Sequence, residues 1–393
     1  MRIGMLLMGG TYPPDIRVEK EASVLSAAGH EVFLLTTDRD GGPPAETVGD
    51  IRVRRYPARA GFVASKSSAV VNLATWNSPL WKRSIAGYVA SEAIDVLHVH
   101  DLPAVRSAVS VAREVGIPVV FDMHENYTAA VGFWPRTRSA RLFQTPARYR
   151  SYERWAVNAV DRVVCVVDEA AQRVRELGAS PERVVVFGNV DRPVEPCERT
   201  PHEGFVAAYA GGFGPHRGLE TLVRAMPELT AMVPGARLVL MGGGTGEGEL
   251  RELVVALGLR DEVEFTGWVD EDTMRKRLCA ADVGTVPHVR NDHTDSTVPH
   301  KLFQYMAMGL PVVVSDCAPL ARIVTETGAG RVFESQDSHG LACALAALAD
   351  PAAAGKAANA GLAAVADRYN LEREGERLLA MYAGIGSGAT GRR

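Results

Sequence analysis

The chain has 393 residues, 47% of them hydrophobic, enough for about two to three domains with full cores. Forty-three Lys and Arg against 47 Asp and Glu leave a net charge of −4, which gives no global electrostatic reason to expect nucleic-acid binding. Five scattered cysteines (Cys165, Cys197, Cys279, Cys317, Cys343) form no CxxC pair, so neither a disulfide framework nor a zinc site is suggested, and a reducing cytoplasm fits best.

In chain order, short apolar runs alternate with segments of helical period. Strands are expected at Ile3–Met8, Glu31–Thr36, Val96–His100 and Val119–Met123, with helices over Glu19–Ala28 and Ala104–Glu114 between them. Gly29 and Gly116 close those helices. A strand at Arg162–Val167, a helix at Glu169–Leu177 and a strand at Val184–Phe187 complete a first half. Strands alternating with helices predict a parallel sheet covered on both faces. Residues 191–204 carry prolines and charges without periodicity and read as a linker. A second series then begins with strands at Val206–Ala210, Arg237–Met241, Val263–Phe265, Val283–Val286, Pro311–Val314 and Gly330–Phe333. The expected organisation is an α/β chain of two facing, doubly wound, Rossmann-like domains, 1–190 and 205–366, with an interdomain cleft. A C-terminal helix over 367–383 can pack on either domain, and a disordered tail covers 384–393. No apolar run approaches the ~18–20 residues of a membrane span, and Met1-Arg2-Ile3-Gly4 leads straight into a strand rather than a signal peptide.

The segment Ser296-Thr-Val-Pro-His-Lys301-Leu-Phe-Gln304-Tyr-Met-Ala-Met-Gly309 predicts a short helix with Pro299 in its first turn and Gly309 as cap. Lys301 in that first turn adds its charge to the helix dipole, a combination suited to a diphosphate, and Gln304 lies on the same face one step further along. An ordinary amphipathic helix with a solvated Lys fits this stretch equally well. The loop Gly211-Gly212-Phe213-Gly214-Pro215-His216-Arg217-Gly218 follows a strand and opens a helix, and Arg217 can fork two phosphate oxygens. Neither this loop, nor Gly242–Gly248, nor Gly9-Gly10 satisfies GxGxxG, so a dinucleotide fingerprint is absent. Asp122, His124, Glu125 and Asn126 stand where a buried strand ends, a placement that is unfavourable unless the groups are used or fully hydrogen-bonded. His98 and His100 share a strand face, but the next candidates lack ligand spacing, so no metal is expected.

Together these segments resemble the family 4 glycosyltransferases, retaining enzymes of the GT-B fold. The carriers are Tyr12-Pro-Pro-Asp15-Ile-Arg17-Val-Glu-Lys-Glu21 with Gly29-His30-Glu31-Val32, Met123-His124-Glu125, Gly188-Asn189-Val190-Asp191, Arg217-Gly218, Phe265-Thr-Gly267-Trp268 and Pro299-His-Lys301-Leu-Phe-Gln304-Tyr-Met-Ala-Met-Gly309-Leu-Pro311. The resemblance implies a nucleotide-sugar donor of UDP or GDP type held by the second domain, an acceptor held mainly by the first, and no metal or cofactor. By position, Arg217 and Lys301 would contact the diphosphate, with Gly10 and Gly212 in the loops near it, and His124 would sit by the transferring sugar. Gly267, Trp268 and Val269 would meet the base, Thr297 and Val298 would line the donor, and Gln304 would meet the ribose. Asp15, Arg17, Asp101, Glu125 and Asn126 are acceptor-side candidates. The chain departs from the family in carrying Gln304 and Ser296 where members often carry Glu, and Gly212 where an Arg is common. Asp38-Arg39-Asp40 is formally a DxD metal motif but reads as surface loop.

Residues 130–155 interleave six Arg (Arg136, Arg138, Arg141, Arg148, Arg150, Arg154) with aromatics, a pattern suited to an anionic or lipid-linked acceptor at the inner membrane face, or to an ordinary solvated helix. Two rival functions share the fold: a nucleotide-sugar epimerase, and a nucleotide-sugar-binding protein without catalysis.

Overall fold

The computed structural model describes residues 1–8, 12–38, 42–57, 75–132, 144–191, 196 and 202–389. The chain divides into two compact units, Met1–Gly188 with Glu374–Arg393, and Asn189–Arg373.

Unit 1 is built on strands β1 (Arg2–Leu7), β2 (Glu31–Asp38), β3 (Ala45–Val48), β4 (Ile51–Pro57), β5 (Val96–His100), β6 (Val119–Met123), β7 (Arg162–Cys165) and β8 (Val184–Val186). They lie in the order β3-β4-β2-β1-β5-β6-β7-β8, all parallel except the β3–β4 pair. β5 and β6 are buried along their whole length, as strands covered on both faces by helices must be. The antiparallel edge hairpin β3–β4 is absent from the expected elements. Its polar residues (Glu46, Arg52, Arg54) interrupt the apolar run because one face of this edge is exposed. The helix Ile16–Ala27 starts three residues earlier than expected, because the Asp15 carboxylate caps it by accepting from Arg17 N and Val18 N.

Unit 2 carries β9 (Val206–Ala210), β10 (Arg237–Met241), β11 (Val263–Gly267), β12 (Val283–Val286), β13 (Val312–Ser315) and β14 (Gly330–Phe333), in the order β11-β10-β9-β12-β13-β14, every pair parallel. Leu222, Met226, Leu238, Leu240 and Val313 are fully buried between sheet and helices. Truncating such a side chain to Ala costs about 2–5 kcal/mol. The signature helix spans His300–Ala307, with Pro299 at its N-cap rather than in its first turn, and Gly309 at φ +70° ends it.

Two expectations fail. The last helix runs Leu371–Ala389, into the first part of the segment 384–393 expected to be a disordered tail, because Tyr382 and Ile385 are buried and carry the helix past Gly384; residues 390–393 lie outside the described residues. Cys279 is disulfide-bonded, which the cysteine spacing does not suggest, while Cys165, Cys317 and Cys343 are free thiols.

Candidate active site

In open parallel sheets, ligands bind beyond the carboxyl ends of strands where the strand order reverses. In unit 1 that point lies between β1 and β5. There Asp122, fully buried at the end of β6, is a hub. Arg17 Nε and Nη2 donate to its two oxygens at 2.7 Å each, His124 Nε2 lies 2.6 Å from Oδ2, and His100 Nδ1 lies 3.1 Å from the same oxygen. Burial alone would raise the Asp122 carboxyl, but Arg17 and then His124 override it and hold the group well below the usual carboxylate range. The converse holds for His124. Burial lowers it, yet Asp122 and Asp101 prevail and raise it to about 9, so the ring is an imidazolium at neutral pH.

His124 is 18% exposed, and its Nδ1 lies 3.5 Å from Oδ1 of Asp101, itself 36% exposed. Asp101 holds φ +69° and ψ 151°, a region populated almost only by glycine, and such strain concentrates at functional positions. Behind Asp122, Glu21 lies 3.1 Å from Arg17 Nη2 and 3.1 Å from His98 Nε2, and His98 Nδ1 lies 2.6 Å from the Tyr382 hydroxyl. Burial and the neighbouring Asp122 push the Glu21 carboxyl well up; burial and His100 push His98 well down, so it is neutral. Ligand atoms of Glu21, His98, His100 and Asp122 lie within 4.8 Å of one another, close enough to hold a metal ion. Sequence spacing conceals this grouping, since Glu21 stands on a helix and Asp122 on a strand far along the chain. Arg17 already lies against both carboxylates, so a cation here would have to displace the guanidinium.

In unit 2 the order reverses between β9 and β12. β9 leads into the glycine loop, the turn Pro215–Arg217 and then Gly218, whose φ is +67°; a Cβ there would lie 1.7 Å from the Pro287 carbonyl oxygen, so only glycine lets the loop rest against the end of β12. Lys301 reaches the same place from the start of its helix. Its Nζ stands 3.6 Å from the centre of the Tyr209 ring and makes no hydrogen bond among the described residues. Burial first, then Arg217, holds this amine well below its usual range. Arg217 Nη1 donates to His288 Nε2 at 3.1 Å. Burial and the same Arg217 push His216 down to about 4, His288 well down, and His293 down. Burial first, and the positive charge of Arg217 second, push His216, His288, His293 and Lys301 toward their neutral forms. An arriving anion would oppose the part of these shifts that Arg217 causes.

Residues 15–190 match the model described as glycosyl transferase 4-like domain, and residues 204–350 match glycosyl transferases group 1. The chain belongs to the family 4-like glycosyltransferases. It is 27% identical to the phosphatidyl-myo-inositol mannosyltransferase of Mycolicibacterium smegmatis, over 88% of this chain and 84% of that one. It is also 27% identical to the D-inositol 3-phosphate glycosyltransferase of Acidothermus cellulolyticus, over 90% and 80%. In fold it resembles the sucrose-phosphate synthase of Thermosynechococcus elongatus (TM-score 0.79, 20% identity, 99% of this chain and 100% of that one). Anabaena HepE in complex with UDP is similar (TM-score 0.73, 14% identity, 98% and 100%). The fold is GT-B, and the chain is a nucleotide-sugar-dependent enzyme.

The remaining sequence candidates of the glycosyltransferase take varied places. Gly10 lies outside the described residues. The Gly212 carbonyl accepts from the Tyr209 hydroxyl at 2.8 Å. Gly267 ends β11 at φ +71°, followed by Trp268, 74% exposed, and half-buried Val269. Thr297 is half-buried; Val298 is buried and its carbonyl accepts from Asn189 Nδ2 at 2.8 Å. Gln304 Nε2 stands 3.5 Å from an Asp191 carboxylate oxygen, so a carboxylate is near although position 304 is an amide. Ser296 donates to the Asp292 carbonyl at 2.7 Å. On the acceptor side, Asp15 and Asn126 cap helices and Arg17 is buried against Asp122, whereas Asp101 and Glu125 are half-buried at the strand ends.

Within the basic-aromatic segment, residues 133–143, with Arg136, Arg138 and Arg141, lie outside the described residues. In the helix Pro146–Ala159, Tyr149 and Tyr152 are buried against Trp76, and buried Glu153 pairs with Arg173, so two of the aromatics read as surface are core. Among the described residues no single helix is long and apolar enough to cross a membrane. Glu21, Tyr382, His288 and His293 are site residues that sequence reasoning misses. The one usable signal is the Arg17/Glu21 pair, four apart on the helix face that also carries Val18, Ala22 and Leu25.

Proposed function

We propose that this glycosyltransferase moves a sugar from a UDP- or GDP-type donor to an acceptor hydroxyl, with retention of anomeric configuration and without a metal ion. The observation that carries this reading is Lys301, a buried amine with no hydrogen-bond partner among the described residues, held beside Arg217 at the start of the helix His300–Ala307. Such a group waits for an anion, and two cations with a helix N-terminus supply the leaving diphosphate with the positive charge a divalent ion would otherwise bring. In this reading the diphosphate lies between Arg217 and Lys301, Gln304 and Asp191 face the ribose, and Gly267–Val269 meet the base. As the bond between the anomeric carbon and the diphosphate breaks, the His124 imidazolium, fixed by Asp122, stands by the transferring sugar. The acceptor is a polyol or saccharide hydroxyl, free or lipid-linked; the names of two relatives, which act on phosphatidyl-myo-inositol and D-inositol 3-phosphate, support an inositol-containing acceptor.

The test is product analysis with UDP-glucose, UDP-N-acetylglucosamine and GDP-mannose, each offered with inositol phosphate in excess EDTA. A new glycoside with retained configuration by NMR is expected. Inversion, or strict dependence on added divalent ion, contradicts the mechanism; a donor that is only epimerised or only bound contradicts the transfer. Lys301→Ala and Arg217→Ala should abolish transfer, and His124→Ala should lower turnover more than nucleotide affinity.

A further inference from the structure

Arg217 and Lys301 differ from several other cations of the chain in having no carboxylate partner among the described residues. Arg17, Arg277 and Arg290 are each paired with carboxylates, on Asp122, on Glu264, and on Asp295 and Asp316. Among the described residues no carboxylate pairs with Arg217 or Lys301; Lys301 rests on the neutral ring of Tyr209, and Arg217 is held by the imidazole of His288. A carboxylate would orient the guanidinium equally well, but it would cancel the charge that an anionic ligand needs. A neutral imidazole accepts one N–H and leaves that charge whole.

Resting on the diphosphate reading above, we infer that His288 is the positioning residue for Arg217, aiming its guanidinium at the diphosphate without neutralising it. His288 is 3% exposed just beyond β12. Its backbone is fixed: its carbonyl accepts from Ser335 Oγ at 3.4 Å and Cys317 Sγ at 3.6 Å, and the next residue's N–H donates to the His216 carbonyl at 3.0 Å. Because Nε2 accepts from Arg217, the ring proton resides on Nδ1. Burial, and after it the facing Arg217, Lys301, His216 and His293, keep the ring in this neutral, accepting form. Four cationic or basic neighbours face it and, among the described residues, no carboxylate pairs with it, so nothing there favours the imidazolium until an anion arrives.

The experiment is calorimetric titration of the full chain with inorganic pyrophosphate, UDP and GDP, comparing wild type with His288→Gln, His288→Leu and His288→Glu. The Gln and Leu variants are also made in an Arg217→Met background. A Gln amide oxygen reaches the place of Nε2, so His288→Gln should restore binding to within about twofold, while His288→Leu weakens it about five- to tenfold. His288→Glu should fold at least as stably, through a salt bridge to Arg217, yet bind about tenfold or more weakly. With Arg217→Met in place, neither Gln nor Leu should alter affinity further. A His288→Glu variant that binds like wild type, or a His288→Leu defect that persists in the Arg217→Met background, overturns the assignment. If His288→Leu fails to fold, the Gln and Glu variants decide between the same two outcomes. If Arg217→Met weakens binding and no His288 variant does, this inference alone falls. If Arg217→Met leaves all three ligands bound as before, or wild type binds none of them, the diphosphate reading falls with it.

Discussion

Replacing Lys301 by Met should make the free enzyme more stable and weaken its hold on the donor. In the free state the Lys301 amine is buried, has no hydrogen-bond partner among the described residues, and feels Arg217. An unsatisfied buried polar group costs about 1–3 kcal/mol, and its placement on the Tyr209 ring returns about 0.5–2 kcal/mol. Met fills a similar volume without the polar atom, so a net gain of about 1 kcal/mol is expected, or about 2–4 °C in the thermal midpoint of a unit this size. Hydrogen bonds to charged groups contribute about 1.5–3 kcal/mol, so loss of the ammonium should weaken UDP or GDP binding about ten- to a hundredfold. Calorimetric melting and titration on one preparation measure both. Lys301→Met melting lower than wild type, with nucleotide affinity unchanged, would refute the view that this lysine is held in strain for an anion.

Other consequences concern unit 1. His124 should titrate near 9 by NMR, and transfer should decline on the basic side through that pH. Its raised value adds stability that is complete below about pH 6.5 and is lost as pH rises through 9, and Asp101→Asn should move the titration downward. Arg17→Met strips the buried Asp122 carboxylate of its guanidinium partner, leaving only His124 and His100 against it, and should destabilise unit 1 by about 3–5 kcal/mol in denaturant titration, although the sequence presents Arg17 as an acceptor contact. Asp101→Gly should be more stable than Asp101→Ala by about 1–3 kcal/mol, since only glycine is relaxed at φ +69°; equal stability would mean that the backbone there is not strained.

The architecture is legible in the sequence because it is written in local patterns. Apolar strands of five or six residues, helices of regular period and glycine stops require no tertiary information. The edge hairpin Ala45–Pro57 escapes because an exposed edge dilutes the apolar signal with Glu46, Arg52 and Arg54. At the site, Arg217 and Lys301 are legible as cations in loop and helix starts. That they stand close together although 84 residues apart follows from β9 lying beside β12, which no local pattern encodes. For the same reason Arg17 is taken as an acceptor-side candidate, since its partner Asp122 lies 105 residues away. His288, with no periodic or motif context, acquires a meaning only when Arg217 is placed beside it.

The central claim is that the diphosphate of the donor is held between the glycine loop after β9 and the helix that begins at His300. Hydrogen exchange with and without UDP or GDP, read by peptide, addresses it without knowledge of the acceptor. The account predicts the strongest protection in peptides covering Gly211–Leu219 and Thr297–Tyr305. Protection confined to unit 1, or spread over unit 2 while sparing those two segments, would contradict it.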